Sequence, residues 1–419
     1  MKKQLLFNKL YEWFNIILFI IYSGSLYSLS KTPLASIIDK RSLIMYLAFY
    51  ISLIYLMNII LKKNINLAKN NKSLIFFILI IIFNSALLNT KDPYVKREVF
   101  LLIGTILYAL HLVYYYNNKK LLDIIFKAQF IIVIFNILFI IIYPEYSTAT
   151  YEGKVIIQGT FAQKNSLGIN MSFAILIAGV IYKIYTKRLK KILSIVSIFL
   201  SGLLLVGTGS VTSIVIVIIT ITIYKLYINL KIKINPVGVL FIIHAIFYGI
   251  IFLGRKYNDI FLSIFNRDLT LTGRTDIWEV IVELIKIKPI IGYGYGGIWY
   301  EGSIIKNYIW NRTFIGMEGA HNGFLEWALQ IGILGLIAFI IMILSMGYKL
   351  IKLKNKDEFV FRVGIQYIVY ILIFYITEKV TSPTSYQILM LFIIIIMVSK
   401  EYNKSIREGS KRWEKKRHL

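Results

Sequence analysis

The chain contains no cysteine, which excludes disulfide frameworks, thiol nucleophiles and cysteine metal sites together. Histidine is nearly as scarce, with four in 419 residues, so imidazole chemistry has few candidates. Charged residues make up only 16%, against about 25% in a soluble domain. What is present instead is apolar: 58% of residues are hydrophobic and the mean hydropathy is +0.69. Runs such as Ile75–Phe83, Ile214–Ile223 and Met390–Val398 have no polar face to offer water. This composition describes an integral membrane protein, all-α and polytopic.

A helix needs about 20 residues to cross an apolar layer of about 30 Å. That ruler predicts twelve spans, near 14–30, 43–61, 73–89, 98–116, 124–143, 166–182, 192–208, 210–228, 236–254, 322–346, 363–380 and 385–399. The seventh and eighth meet at the tight turn Gly207-Thr208-Gly209. Lysine and arginine set the direction, because basic connections stay inside. Clusters such as Lys62/Lys63/Lys69/Lys72, Lys187/Arg188/Lys190/Lys191 and Lys349/Lys352/Lys354/Lys356 fall in alternate connections. Both termini are therefore expected in the cytoplasm. The net charge of +27 then reflects topology and anionic lipid, not nucleic acid. Residues 1–419 read as a single integral membrane domain, with no cleavable leader evident and a basic, disordered cytoplasmic tail over 400–419.

Two expected outer segments exceed what a connection requires, 143–165 and 255–321, and loops this long in a compact bundle usually have a task. In the second, Ile277, Val280, Ile281, Leu284 and Ile285 recur at helical spacing, with Asp276, Glu279, Glu283 and Lys286 opposite. This predicts an amphipathic helix that either covers the bundle or shapes a site. Next, Gly292-Tyr-Gly-Tyr-Gly-Gly297 satisfies the dinucleotide fingerprint in letters only. That fingerprint needs a strand before it and a helix after it, so the glycines are read as sharp turns and close backbone approach. The tenth span opens on His321, and Asn322, Glu326 and Gln330 follow at spacings of four, forming one polar stripe on a helix. A carboxylate there is costly unless it faces a bundle interior or a wet cavity. His111 and His244 fall inside spans and His418 lies in the tail.

His321-Asn322, nine residues, then Gly332-x-x-Gly335 resembles the signature of the O-antigen ligase and polysaccharide polymerase superfamily. Thr272-Gly273-Arg274-Thr275-Asp276-Ile277-Trp278 is similar to its Gly-Arg…Trp element, and Gly159-Thr160-Phe161 through Asn165 to its Gly-x-Phe-x-x-x-Asn element. Pro289 to Gly294 looks like the family segment that follows Gly-Arg…Trp, and the elements keep family order over roughly 155–345. Two positions depart from the pattern. Ile157-Gln158 stands where the family often has a basic residue, and Ser210-Val211 where it often has Ser-Arg or Ser-Lys.

The resemblance implies glycan transfer from a polyprenyl pyrophosphate carrier at the outer face of the bacterial cytoplasmic membrane. Such a reaction needs a base for the acceptor hydroxyl and cations for the departing diphosphate. Imidazole suits the first task near neutral pH, and the planar fork of arginine suits the second. His321 is accordingly expected as base and Arg274 as the main diphosphate contact. Lys164 and Arg267 are expected as further cations, and Asn165, Asn322 and Glu326 as residues that orient base or acceptor. No cofactor or metal is required by this scheme, and the absence of an Asp-x-Asp pair, the usual ligand set of nucleotide-sugar transferases, also argues against a cytosolic nucleotide donor. Partners would be the lipid-linked glycan donor and acceptor, membrane lipids and a chain-length regulator. A polymerase and a ligase share this chemistry and differ in acceptor. A lipid-linked oligosaccharide flippase would instead show two similar halves and short loops, and a pure scaffold would not explain the polar stripe.

Overall fold

The computed structural model describes residues 2–32, 41–63, 71–87, 92–151, 153–230, 232, 234–255, 273–313, 319–379 and 381–417. They are mostly helical. The first helices are α1 (Lys2–Tyr22), α2 (Arg41–Lys63), α3 (Lys72–Leu87), α4 (Pro93–Tyr115) and α5 (Asn118–Ile142). A hairpin of β1 (Thr148–Tyr151) and β2 (Lys154–Ile157) follows, antiparallel, with Thr148 opposite Ile157. Then come α6 (Lys164–Ile184), α7 (Arg188–Gly207), α8 (Val211–Asn229), α9 (Pro236–Arg255) and α10 (Arg274–Ile287). The last are α11 (Ile304–Thr313), α12 (Gly323–Leu353), α13 (Glu358–Phe374) and α14 (Tyr386–Arg417). Among the described residues, seven helices are long and apolar enough to cross a membrane: α1, α4 to α8, and α12. Shorter apolar helices occupy Tyr46–Met57, Lys72–Leu87 and Pro236–Ile251. This is a multi-pass helical membrane protein.

The helices differ from the predicted spans in three instructive places. The first helix lies upstream of 14–30, because Ser23 and Gly24 end it. The Ser23 hydroxyl donates to Ile20 O at 2.6 Å, and Gly24 takes φ 74°. The eleventh stretch stops at Phe374, so Glu378 sits in the turn after α13 and not within it. The segment 400–417, expected as a disordered tail, continues α14. Charges of both signs at helical spacing favour this, as in Glu401 with Lys404 at 3.9 Å.

The chain forms two compact units. The first comprises Met1–Asn64, Gly104–Lys225 and Thr384–Ile393. Its core gathers Ile132 and Val133 of α5, Leu167, Met171 and Ala174 of α6, and Leu204 and Leu205 of α7 around Phe161. The Gly159-Thr160-Phe161 turn is pinned there by Asn136, whose Oδ1 accepts from the Thr160 amide at 2.9 Å. Gly159, at φ 58°, lies against that same side chain.

The second unit comprises Ile65–Ile103, Leu226–Pro383 and Ile394–Leu419. Its central helix, α12, packs on α3, α9, α10 and α13. It is not continuous: Gly332 has φ 70° and ψ −177°, which breaks it into two half-helices. A break leaves backbone groups without helical partners, and in an apolar layer each must be satisfied by protein. The segment after α10 does this. Tyr293 N donates to Leu329 O at 3.0 Å and Gly294 N to Gln330 O at 2.8 Å, while Ile333 N donates to Pro289 O at 2.8 Å. Gly292 and Gly332 meet backbone to backbone, so that a Cβ on Gly292 would stand 2.6 Å from Gly332 N. The glycines of 292–297 are therefore turns and close approaches.

Candidate active site

The site lies in the second unit, and α10 begins it. Ile277, Val280, Ile281 and Leu284 bury one face of this helix against Leu329 and Ala320, each side chain contributing about 1.5–3 kcal/mol relative to exposure in water. The opposite face carries Asp276, Glu279, Glu283 and Lys286, as the periodicity predicts, and none of these four is buried. The helix does more than cover the bundle. Its Trp278 Nε1 donates to Ala320 O at 2.8 Å, and Arg274 is its first residue. Gly273, at φ 80°, turns the chain into it.

Ala320 is held from the other side too, since its amide donates to Glu326 Oε2 at 2.7 Å. With both its backbone groups fixed, it presents the next residue in a constrained pose. His321 takes φ 45°, the one positive value at a non-glycine residue among those described. Such a conformation costs about 1–3 kcal/mol and clusters at functional sites. Asn322 then caps α12, its Oδ1 accepting from Phe324 N and Leu325 N, both at 3.0 Å. Its Nδ2 donates to the Tyr248 hydroxyl at 2.8 Å. Glu326 is fully buried and receives Trp299 Nε1 and Gln330 Nε2, both at 2.5 Å. The polar stripe of Asn322, Glu326 and Gln330 is thus a brace for the segment that carries His321.

Sequence reasoning missed the residue that joins the two principal candidates. Glu378 is buried, and its Oε2 lies 3.0 Å from His321 Nδ1. Its Oε1 accepts from Arg274 Nη2 at 2.9 Å, and Arg274 Nη1 also donates to Thr377 O at 2.7 Å. Burial alone would raise the Glu378 pKa, but the His321 hydrogen bond and the Arg274 charge outweigh it, and the group ends below the ordinary carboxylate value. An ionised carboxylate only accepts, so Nδ1 of His321 must donate. In the neutral ring, Nε2 then carries the lone pair, as in carboxylate–histidine pairs that fix a catalytic base. A usable signal existed, since Glu378 falls inside the predicted 363–380 stretch and a carboxylate in such a stretch is a functional-site candidate.

The other predicted residues lie as follows. Lys164 and Asn165 open α6 in the first unit, and Lys164 Nζ lies 3.8 Å from the Tyr151 ring centroid. Arg267 and Thr272 are outside the described residues, as is His418. His111 is buried against the Tyr11 hydroxyl at 2.7 Å, and His244 Nδ1 lies 2.7 Å from Leu240 O. His321 alone of these described histidines has a carboxylate partner.

Fold and site together define a multi-pass membrane protein whose second unit holds a braced Glu–His–Arg constellation. Residues 165–340 match the family model described as O-antigen ligase. That segment contains all of α10, His321, the polar stripe and the Gly332 break. The chain is also similar to the exopolysaccharide production protein ExoQ of Rhizobium meliloti (strain 1021), with 27% identity over 234 residues, 53% of each chain. An uncharacterized protein of Haemophilus influenzae (strain ATCC 51907 / DSM 11121 / KW20 / Rd) is 31% identical over 156 residues, 34% of this chain and 38% of the other. The chain thus spans about half the length, or less, of the curated relatives it matches. These matches support the O-antigen ligase/polymerase-like superfamily that the motifs resemble.

Proposed function

We propose that this protein polymerises polyprenyl-pyrophosphate-linked oligosaccharide repeats into a surface polysaccharide, such as a capsule, exopolysaccharide or O-antigen, at the outer face of the bacterial cytoplasmic membrane. In this reading the chain makes twelve spans with both termini inside, and residues 255–321 form the outer loop. His321 Nε2 takes the proton of an acceptor hydroxyl as that oxygen bonds to the anomeric carbon of the donor. The bond from that carbon to the diphosphate breaks, and the carrier diphosphate leaves. Glu378 holds the ring and stabilises the imidazolium that forms. Arg274 commits two of the five N–H donors of a guanidinium to Glu378 and Thr377. The others are assigned to diphosphate oxygens, with Lys164 and Arg267 as further cations and Asn165, Asn322 and Glu326 orienting base or acceptor. Metal takes no part in the scheme, so transfer should persist in a chelator.

The observation that carries the reading is the 3.0 Å approach of Glu378 Oε2 to His321 Nδ1 beside Arg274. The family match and the similarity to the exopolysaccharide production protein ExoQ support the substrate class. A ligase, passing the glycan to lipid, protein or wall, is the second reading, favoured by the description of the matching family. The experiment is glycan and carrier-lipid analysis of a deletion strain complemented with wild type or His321→Ala. For a polymerase, the strain without activity keeps single repeats on carrier at the outer face. A ligase leaves finished polymer on carrier, and a flippase leaves repeats inside. Normal polymer from His321→Ala at normal protein level would refute the base.

A further inference from the structure

Beside the constellation, and still within the second unit, lies a cavity of about 260 Å³. One water occupies about 30 Å³ of liquid, so the space admits a group of sugar-ring size. We infer that this cavity is the acceptor subsite, holding a saccharide ring of the incoming glycan against an aromatic slab; the inference rests on the glycan-transfer reading and names where its acceptor sits.

The slab is built from distant parts of the chain. The rings of Tyr94 and Tyr300 stack at 4.2 Å with 8° between their planes. Asp92 ties the two residues together, its Oδ1 accepting from the Tyr94 backbone amide at 2.8 Å and its Oδ2 from the Tyr300 hydroxyl at 2.9 Å. Trp299 adds a third ring, locked by its 2.5 Å bond to Glu326. Yet Tyr94 remains 42% exposed, so this rigid stack is not consumed in a core. A lone interfacial aromatic would be explained as a membrane anchor. These rings instead share a cavity with Arg97, Glu98 and Lys379. A saccharide needs that combination: an apolar face to lie on and charged donors and acceptors for its hydroxyls.

The placement relative to the base is equally specific. Glu378 faces His321 and Arg274, and the next residue, Lys379, lines the cavity. Glu326 binds Trp299 of the cavity with one oxygen and Ala320, the residue before His321, with the other. Gln330 lines the cavity, and its Oε1 accepts from Gly296 N at 3.0 Å. Gly296, at φ 75°, packs directly on the Glu98 side chain, where a Cβ would collide with it. Cavity and base are thus linked through Glu326 and through the step from Glu378 to Lys379.

The test uses the full chain in lipid nanodiscs, with oligosaccharide freed by mild acid from the carrier lipid of producing cells as the titrant. Calorimetry should show binding that Tyr94→Ala/Tyr300→Ala weakens about tenfold, while Tyr300→Phe, which keeps the ring but loses the bond to Asp92, weakens it less. Arg97→Gln, at an exposed position, should fold normally and weaken binding about fivefold, the loss of one hydrogen bond. With lipid-linked substrates, the same changes should raise the acceptor KM and leave the donor KM in place. No binding by wild type, or equal binding by all variants, overturns the subsite. Binding that behaves as expected, without any transfer from lipid-linked donor, overturns the glycan-transfer reading and leaves a saccharide site standing.

Discussion

His321 Nδ1 and Glu378 Oε2 lie 3.0 Å apart although 57 residues separate them, and Arg274 occupies the other Glu378 oxygen. One carboxylate therefore orients an imidazole and anchors a guanidinium at the same time. The arrangement is expensive to bury and is compensated on both sides, since the Arg274 side chain is itself only 14% exposed.

Replacing Glu378 by Gln tests the orienting role. Gln keeps the shape, removes the charge and can present an amide donor to Nδ1, which selects the wrong tautomer. Transfer should fall by about 10²- to 10⁴-fold at normal protein level. The double variant His321→Ala/Glu378→Gln should be no worse than His321→Ala alone, because two members of one unit are not additive. A further large drop would mean that Glu378 acts apart from His321.

Arg274→Lys keeps the positive charge and loses the planar fork that spans Glu378 Oε1 and Thr377 O. The expected result is a fall of about 10- to 100-fold in transfer, about 1.4–2.7 kcal/mol of barrier. The variant should still reach the membrane in normal amount. Activity equal to wild type would show that charge alone suffices and that neither bidentate anchoring nor bidentate diphosphate contact matters.

The polar stripe was readable for Glu326 and Gln330, because residues four apart share one helical face, whereas Asn322 is the extended N-cap just outside α12. Its purpose was not readable. Asn322 is committed to capping α12 and Glu326 to holding Ala320, Trp299 and Gln330, partners that lie far away in sequence. The amphipathic helix 276–288 was equally legible, since its period of apolar residues survives in α10. Glu378 escaped because it belongs to no motif and lies beyond residues 165–340, the segment that matches the family. The break at Gly332 escaped for another reason: hydropathy runs through it unchanged, and only the backbone of 289–294 reveals it.

That break yields a stability prediction. At φ 70° an alanine is strained by about 1–3 kcal/mol, and its Cβ would also collide with the Ile290 carbonyl. Gly332→Ala should therefore lower the melting temperature markedly and reduce the folded fraction recovered in detergent. Gly292→Ala should do the same, because its Cβ meets Gly332 N and Leu329 O at 2.6 Å. Gly238→Ala, where nothing lies within 4 Å, should be tolerated. A normal melting profile for Gly332→Ala would mean that the helix can run unbroken.

The lowered pKa of Glu378 carries a pH dependence with a definite sign. A free glutamate titrates near 4.3, and here the folded value lies lower, so the folded state favours the ionised form. The resulting stabilisation is complete above the unfolded value and is lost as pH falls through the folded one. Glu378→Gln lacks this contribution at every pH. Wild type should therefore melt above Glu378→Gln at neutral pH, and the gap should close only below about pH 4.3. Melting curves of both proteins from pH 7 to the acid limit of the detergent would check it. A gap that stays constant through the acid range would show that the pairing with His321 and Arg274 does not hold the carboxylate ionised.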